Sequence, residues 1–233
     1  MNVLAFDTCL GAVSVAVRWN SPQGVWLARD AFEARERGHA ERLMPMIAEV
    51  MGGAGLAFSD IDRIAVTTGP GSFTGVRVGI AAARGLALAS GRPVAATTTL
   101  AVMARQADAL LGKDRAGRLL AVAVDARRGM IFLQLFDDAQ GELGPPMLLA
   151  PEDVHALTGA RRVIVVGSAA GIVAKAIAAA GGTAQAALAD LQPHARVLAL
   201  MADRLTPTSP LRPLYLRPPD VKPQGDKSLA RVV

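Results

Sequence analysis

Cysteine and histidine are scarce in this chain of 233 residues, and their scarcity excludes several kinds of site. The one cysteine, Cys9, cannot form an intrachain disulfide, so we expect a protein of the reducing cytoplasm. A zinc site built from several cysteines is excluded as well. The three histidines, at positions 39, 155 and 194, are not spaced like a pair of metal ligands. We therefore expect no metal site.

Long apolar runs are also lacking, although 52% of the residues are hydrophobic. Arg, Gly or Thr interrupts each apolar run well before the roughly 18 residues that a membrane-spanning helix needs. The apolar start, residues 1–17, contains Asp7 and has no basic leader. We interpret it as a core strand rather than a signal peptide, and we expect no contact with a membrane.

Positive charge is concentrated towards the C-terminal end. The formal net charge is +5, and residues 196–233 hold seven basic side chains against three acidic ones. Such a segment is usually a solvated end, but it could also contact RNA phosphates or an acidic partner. Tyr215 is the single aromatic residue among these charges, so we do not expect a stacking platform for single-stranded RNA.

Hydrophobic periodicity predicts an α/β protein. An antiparallel meander over 3–6, 12–18 and 25–32 precedes a helix over 39–51. We expect His39 to cap the start of this helix and Gly52 to mark its end. The other predicted strands cover 64–68, 94–96, 119–124, 130–136 and 163–166, and the other predicted helices cover 74–89, 98–111, a short turn from 151, 169–180 and 193–205. Residues 206–223 are too rich in proline to be regular.

One pattern occurs twice: an apolar strand, an aspartate, and a glycine turn four residues after the aspartate. Asp7 is followed by Gly11, and Asp125 by Gly129. The repeat predicts two related lobes, which we place at residues 1–105 and 106–233. A carboxylate in such a hairpin can hold hydrated magnesium beside a phosphate chain, so Asp7, with Thr8, and Asp125 are candidate nucleotide-binding residues. The alternative is that each aspartate accepts hydrogen bonds from its own turn.

The run GPGSFTGVRVG (69–79) predicts a tight turn from a strand into a helix. It is not a P-loop, because no Lys-Ser/Thr follows, and its glycine spacing is not that of a dinucleotide-binding fingerprint. Gly69 and Gly71 permit positive φ, and Pro70 fixes the turn. Ser72 or Thr74 can cap the helix, whose free amides could hold an anion.

The helix after this turn carries small residues three or four positions apart, at Gly75, Gly79, Ala82, Ala83 and Gly85. Such residues leave a shallow face that another backbone can approach closely. Each glycine costs the helix about 1 kcal/mol. We therefore expect the face to be occupied, either by helices of this chain or by a partner.

A complete catalytic set of side chains is missing from the sequence. No serine lies in a nucleophile-elbow pattern with a matching histidine and aspartate. Cys9 has no basic neighbour that would lower its pKa, so we expect it to be a small buried residue.

Five segments, in order along the chain, together resemble a known family. They are LAFDTCLGAVSVAV (4–17), HAERLMPMIAEVM (39–51), TTGPGSFTGVRVGIAAARGLAL (67–88), DARRG (125–129) and PLYLRPP (213–219). The sequence is thereby similar to the TsaB family, the dimerisation subunits of the tRNA threonylcarbamoyladenosine machinery. The resemblance implies an actin/Hsp70/sugar-kinase-like (ASKHA) fold with two ribonuclease-H-like lobes.

The resemblance also implies partners. A TsaB-like subunit forms a heterodimer with a TsaD homologue and works with the ATPase TsaE. TsaD then transfers threonylcarbamoyl to N6 of adenosine 37 in tRNAs that decode ANN codons, so tRNA is met through the complex. Alone, such a subunit forms a homodimer. The implied interface lies on the helices over 39–51 and 74–89, and its residues are His39, Glu41, Leu43, Met46, Ile47, Val50, Gly75, Arg77, Gly79, Ala82 and Ala83.

The resemblance implies a non-catalytic role. TsaD-like proteins carry a histidine pair on the helix that here corresponds to 97–106, and this stretch has no His, Asp or Glu. No cofactor is implied, apart from weak ATP or ADP binding at the subunit interface, where Asp125 and Arg127 could line the cleft. The chain departs from the family at Met130, where a glutamate usually follows DARxG, so a contact made by that glutamate is not carried over.

Two other classes of function stand beside this one. A small-molecule kinase or a metalloprotease of the same fold would need an adenosine loop and a catalytic acid, or metal ligands. A direct RNA-binding protein would use the basic C-terminal end, and its removal would abolish tRNA retention.

Overall fold

The computed structural model describes residues 1–138 and 141–217, which fold into two β-sheets with helices on their faces. The predictions made for 218–233, including much of the basic end, lie outside the described residues. None of the described helices is both long enough and apolar enough to cross a membrane.

The first sheet has the strand order β3-β2-β1-β4-β5, in which β1 pairs antiparallel with β2 and parallel with β4. Alternate side chains of β1 enter two different cores, so the strand is buried along its whole length. Helices α1 and α2 cover one face, and a helix over Ala195–Met201 covers the other. The elements are β1 (Val3–Asp7), β2 (Ala12–Asn20), β3 (Trp26–Ala34), α1 (His39–Ala54), β4 (Arg63–Thr67), α2 (Phe73–Ser90) and β5 (Val94–Thr97).

The second sheet has the order β11-β10-β6-β7-β8, with β9 also paired to β7. Helix α3 packs on one face and α5 on the other. The elements are α3 (Thr99–Leu111), β6 (Leu119–Asp125), β7 (Ile131–Asp137), β8 (Gly141–Glu142), β9 (Met147–Leu149), α4 (Val154–Thr158), β10 (Arg162–Val166), α5 (Ala170–Ala179), β11 (Thr183–Ala187) and α6 (Ala195–Met201).

Helices α3 and α6 join the two halves of the chain. Val102 of α3 and Leu198 of α6 share one core cluster with Val3 of β1. The first sheet is therefore completed by a helix from the C-terminal half. The proposed division at residues 105 and 106 falls within α3 and stays a prediction.

The ends of α1 differ from those that the sequence predicts. Gly38, in the left-handed region with φ 78°, precedes the helix, and no side chain caps it. His39 instead donates from Nε2 to the carbonyl oxygen of Leu10, at 3.0 Å. The helix continues past Gly52 and ends at Gly55, whose φ of 68° satisfies the left-handed cap. The predicted His39 cap and Gly52 stop are therefore wrong.

Residues 206–217 form an extended segment, here called the C-terminal strap, that crosses the edge of the first sheet. Thr208 N donates to Val94 O and Leu214 N donates to Thr68 O, each at 2.8 Å. Leu211 is buried against the core beneath α1 and α2. The strap contains no helix or strand of the described fold, as the proline content predicts.

Candidate functional site

The loop between β4 and α2 packs against the hairpin between β1 and β2, here called the first hairpin. Ser72 N donates to Cys9 O at 2.7 Å, and the Ser72 hydroxyl accepts from Gly75 N as the helix cap. A Cβ atom at Gly71 would lie 2.2 Å from Cys9 O, and one at Gly75 would lie 2.1 Å from Thr8 O. Glycine is needed at both positions because backbone occupies the space of a side chain.

The small-residue face of α2 is therefore filled by this chain. Gly75 and Gly79 contact Thr8, and Gly79 also approaches Val66 of β4. The occupant is the hairpin between β1 and β2, rather than the helix or partner that the sequence suggests. This close contact could not be seen in the sequence because Thr8 and Gly75 are 67 positions apart.

Asp7 and Thr8 lie inside this contact. Asp7 is 1% exposed; its Oδ2 accepts a short hydrogen bond from the Thr67 hydroxyl, and its Oδ1 accepts from Cys9 N at 3.1 Å. Burial raises the pKa of Asp7 to about 6. The Thr8 hydroxyl donates to Gly75 O at 2.7 Å. Neither residue lines the cavity described below, and nucleotide binding by them stays a prediction.

Cys9 is the small buried residue that the sequence predicts. Its thiol is 3.2 Å from the Thr67 hydroxyl, and burial raises the pKa of the thiol. A neutral, enclosed thiol of this kind is a poor nucleophile.

A cavity of about 920 Å³ opens between the two halves of the chain. Apolar side chains form its walls and charged ones stand among them. The apolar residues include Leu10, Val124, Phe132, Leu191, Leu214 and Leu216. The charged residues are Glu36, Arg37, Asp125, Arg127 and Arg217. A cavity of this size can hold a ligand of several rings or groups.

The hairpin between β6 and β7, here called the second hairpin, lines this cavity with the residues of its turn. Asp125 is exposed, and its Oδ1 accepts from Arg127 N at 2.7 Å. The Ser168 hydroxyl accepts from Asp125 N at 3.0 Å. Arg127 has a φ of 64°, and its carbonyl oxygen accepts from the Arg217 guanidinium at 3.1 Å. Met130 closes the turn through the bond from Ala126 N to Met130 O, at 2.9 Å.

Most of the implied interface residues face the interior of this chain, and the implied interface stays a prediction. Seven are buried: Leu43, Met46, Ile47, Val50, Gly75, Gly79 and Ala83. Their periodicity marks the core side of each helix. His39 and Ala82 are partly buried, and Glu41 and Arg77 are exposed.

The exposed sides of the same helices carry apolar and small residues, here called the α1–α2 face, with Glu41 and Arg84 exposed among them. The apolar and small residues are Met44, Pro45, Ala48, Ala81, Gly85 and Leu88. Met44 is 46% exposed and Leu88 is 89% exposed. Sequence reasoning named Gly85 as a small residue of α2 but missed the other five.

An exposed aromatic cluster was missed as well. Phe73 and Tyr215 stack with their centroids 5.2 Å apart, and the Arg77 guanidinium lies 3.5 Å from the Phe73 centroid. The cluster stands at the mouth of the cavity, which both rings line. Its members come from α2 and the strap, so only their placement in the fold brings them together.

Metal ligands are not grouped in the part of the chain that the structure describes: no three His, Cys, Asp or Glu residues there could hold an ion together. The α3 segment that replaces the histidine-bearing helix is largely buried, with Leu100, Val102 and Met103 in the core.

The family described as "TsaD: tRNA N6-adenosine threonylcarbamoyltransferase" matches residues 33–162. A tRNA threonylcarbamoyladenosine biosynthesis protein TsaB from Escherichia coli is 42% identical over 159 residues, which cover 66% of this chain and 65% of that protein. The TsaB protein of Haemophilus influenzae is 36% identical over 52% of its length. The chain therefore spans about half to two thirds of these relatives. An uncharacterised protein of Mycobacterium bovis is 32% identical and matches over 95% of this chain and 94% of its own length.

Solved structures give the same result over nearly the whole chain. YeaZ from Pseudomonas aeruginosa superimposes with a TM-score of 0.73 at 32% identity, covering 92% of this chain and 99% of that one. A chain of a PilM–PilN type IV pilus biogenesis complex, at 9% identity and a TM-score of 0.51, shares the fold alone. The predicted ASKHA-like α/β fold is confirmed. The matching motifs, the packed loop between β4 and α2, and the similarity to YeaZ over nearly the whole chain identify this protein as a member of the TsaB family, also called YeaZ.

Proposed function

We propose that this chain is a non-catalytic subunit that binds a TsaD homologue and so supports formation of N6-threonylcarbamoyladenosine at position 37 of ANN-decoding tRNAs. The observation that carries the proposal is the α1–α2 face, where exposed apolar and small residues lie on two adjacent helices of a TsaB-family chain. Its small residues, Ala48, Ala81 and Gly85, allow a helix of another protein to approach closely.

The chemistry of the described residues supports a role without catalysis. Cys9 is enclosed and neutral, Asp7 is engaged with Thr67, and α3 carries apolar side chains where a catalytic relative would place histidines. We propose that the same face forms a homodimer when the chain is alone, and that a TsaD homologue replaces the second copy. TsaE would join the heterodimer, and tRNA would be bound through the complex.

The test is a charge placed in the middle of the α1–α2 face. A Cβ atom at Gly85 has no neighbour within 4 Å, so Gly85→Arg leaves the fold of this chain undisturbed. We expect it to weaken the complex with a TsaD homologue by about 100-fold, since an unpaired charge buried in an interface costs about 3 kcal/mol. Light scattering and titration calorimetry of the mixed proteins measure this.

Gly171→Arg is the matched control. Gly171 is also a helical, exposed glycine where an added Cβ atom meets nothing within 4 Å, but it lies on α5. It should bind the TsaD homologue like wild type. Threonylcarbamoyl transfer should require both proteins, and transfer by this chain alone would refute the non-catalytic role. An unaltered complex with Gly85→Arg would refute the proposed face.

A further inference from the structure

The cluster of Phe73, Arg77 and Tyr215, here called the aromatic platform, has the features of a surface that stacks a planar ligand. Phe73 is 45% exposed and Tyr215 is 39% exposed, and their rings are inclined by 29°. The Arg77 guanidinium carbon also lies 5.8 Å from the Tyr215 centroid. Both rings keep more than a third of their surface exposed, so part of each ring is open to a ligand.

The platform is held rigidly by its surroundings. Phe73 is the first residue of α2, directly after the Ser72 cap. The strap is fixed one residue before Tyr215 by the bond from Leu214 N to Thr68 O. Arg77 Nε donates to the Tyr215 hydroxyl at 2.7 Å. A ligand that stacks here would not have to order the rings first, which lowers the entropic cost of binding.

Positive charge surrounds the platform. Arg37, Arg127 and Arg217 line the cavity and come from three separate segments of the chain. Together with Arg77 they make four arginines against two carboxylates, Glu36 and Asp125. Asp125 already accepts a bond from Arg127 N. The mouth of the cavity is thus biased towards anions, and its arginines come from separate segments of the chain.

This distribution suits an RNA strand better than a nucleoside triphosphate. A triphosphate is usually bound with magnesium through one or two carboxylates. In this chain Asp7 is buried and faces Thr67 instead of the cavity. Of the two carboxylates that line the cavity, Asp125 already accepts a bond from Arg127 N, which leaves Glu36. RNA phosphates carry single charges at intervals and need only scattered cations, while aromatic rings stack the unpaired bases.

We infer that the cavity mouth binds single-stranded RNA, with one base stacked on the aromatic platform and neighbouring phosphates on Arg37, Arg127 and Arg217. The inference rests on the proposed function for RNA as the ligand class, but it assigns RNA contact to this chain itself. It thereby corrects the expectation that the chain has no stacking platform: Tyr215 gains its partner Phe73 from α2, far earlier in the sequence.

The experiment measures fluorescence anisotropy of a fluorescein-labelled, unpaired RNA of about 12 nucleotides with the full chain alone. We expect Phe73→Leu and Tyr215→Leu each to weaken binding by about 5- to 100-fold, because each removes a stacking surface. Phe58→Leu is the matched control, since Phe58 is 38% exposed and lies away from the cavity.

A second pair of variants tests the phosphate contacts without touching the rings. Arg127→Ala should lower the slope of log affinity against log salt by about 0.7, whereas Arg105→Ala, an exposed arginine on α3, should leave it unchanged. If thermal unfolding shows that Tyr215→Leu loosens the strap, the comparison of Arg127→Ala with Arg105→Ala becomes the deciding test of RNA binding. The basic residues after 217 are present in every variant and contribute the same background.

Several results would overturn the inference. Platform variants that bind RNA like wild type would do so, as would an equal loss in Phe58→Leu. The last measurement is the binding of ATP in the absence of RNA. If the Phe73 and Tyr215 variants weaken the binding of ATP but not that of RNA, the site belongs to a mononucleotide. Because the TsaD homologue is absent from these measurements, their failure is distinct from a failure of the proposed complex.

Discussion

Asp7 and Asp125 end equivalent strands in the two sheets, each four residues before a glycine, yet their surroundings are opposite. Asp7 is 1% exposed and bonded to Thr67 and Cys9. Asp125 is exposed at the cavity, where it accepts a bond from its own turn at Arg127 N.

The loop that follows β4 accounts for the difference. It places Ser72 and the start of α2 directly on the first hairpin, where backbone fills the space beside Gly71 and Gly75. The corresponding loop after β10 reaches Asp125 through the Ser168 hydroxyl, but it leaves Arg127 and Arg128 exposed. A repeated sequence pattern thus predicts a repeated strand and turn, but the chemistry available at each copy depends on what packs against it.

Of the two hairpins, the first should lose more stability on substitution, because it is in close contact with α2. Gly75→Ala places a Cβ atom 2.1 Å from Thr8 O, and rigid backbone on both sides must move. We expect the free energy of unfolding to fall by about 3 kcal/mol or more. Urea denaturation measures the loss.

Gly85→Ala is the control on the same helix, where the added Cβ meets no atom within 4 Å. It should raise stability by up to about 1 kcal/mol through helix propensity. A similar effect of both substitutions would mean that the close approach between hairpin and helix is not a constraint.

The pH dependence of stability should report the burial of Asp7 in the first hairpin. Burial raises the pKa of Asp7 to about 6, from 3.8. The folded state therefore holds this proton more tightly than the unfolded state, so the stabilising contribution is complete below about pH 4 and is lost as the pH rises through 6. The loss is about 3 kcal/mol at most.

Asp7→Asn mimics the protonated carboxyl group at every pH. Relative to wild type, we expect it to gain up to about 3 kcal/mol in unfolding free energy between about pH 4 and pH 7. If the unfolding free energies of wild type and Asp7→Asn change with pH in parallel, burial does not raise the pKa of Asp7.

Local patterns were sufficient for the strands and helices of the core. The alternation over β1 and β2, the apolar side of α1 and the glycine turn before α2 each depend on neighbouring residues. β11 was missed because its sequence, TAQAA, has little strand propensity and forms a strand by pairing in parallel with β10. The same limit applies to the helix ends, since Gly38 and Gly55 act through backbone conformation.

The candidate site was predicted less well, for a physical reason. Periodicity identifies the side of a helix that is apolar, and in α1 and α2 that side faces the core, whereas the exposed α1–α2 face mixes small, apolar and charged residues. The cavity mouth joins Phe73 to Tyr215 and Arg127 to Arg217. No local pattern records such pairs, because their members are far apart in the sequence and meet only in the folded chain.

The smallest effect on stability is expected in the turn of the second hairpin. Arg127 has a φ of 64°, a conformation that costs a residue with a side chain about 1 kcal/mol and costs glycine little. Arg127→Gly should therefore change the unfolding free energy by less than about 1 kcal/mol, because relief of strain is offset by the greater freedom of glycine in the unfolded chain. The same variant should bind single-stranded RNA more weakly, with a salt slope lowered by about 0.7.

Arg127→Asn separates the effect of backbone conformation from the effect of charge, since asparagine tolerates this conformation but carries no charge. Equal RNA binding by both variants and wild type would show that the exposed arginine is not used, and the contrast between the hairpins would then concern folding alone.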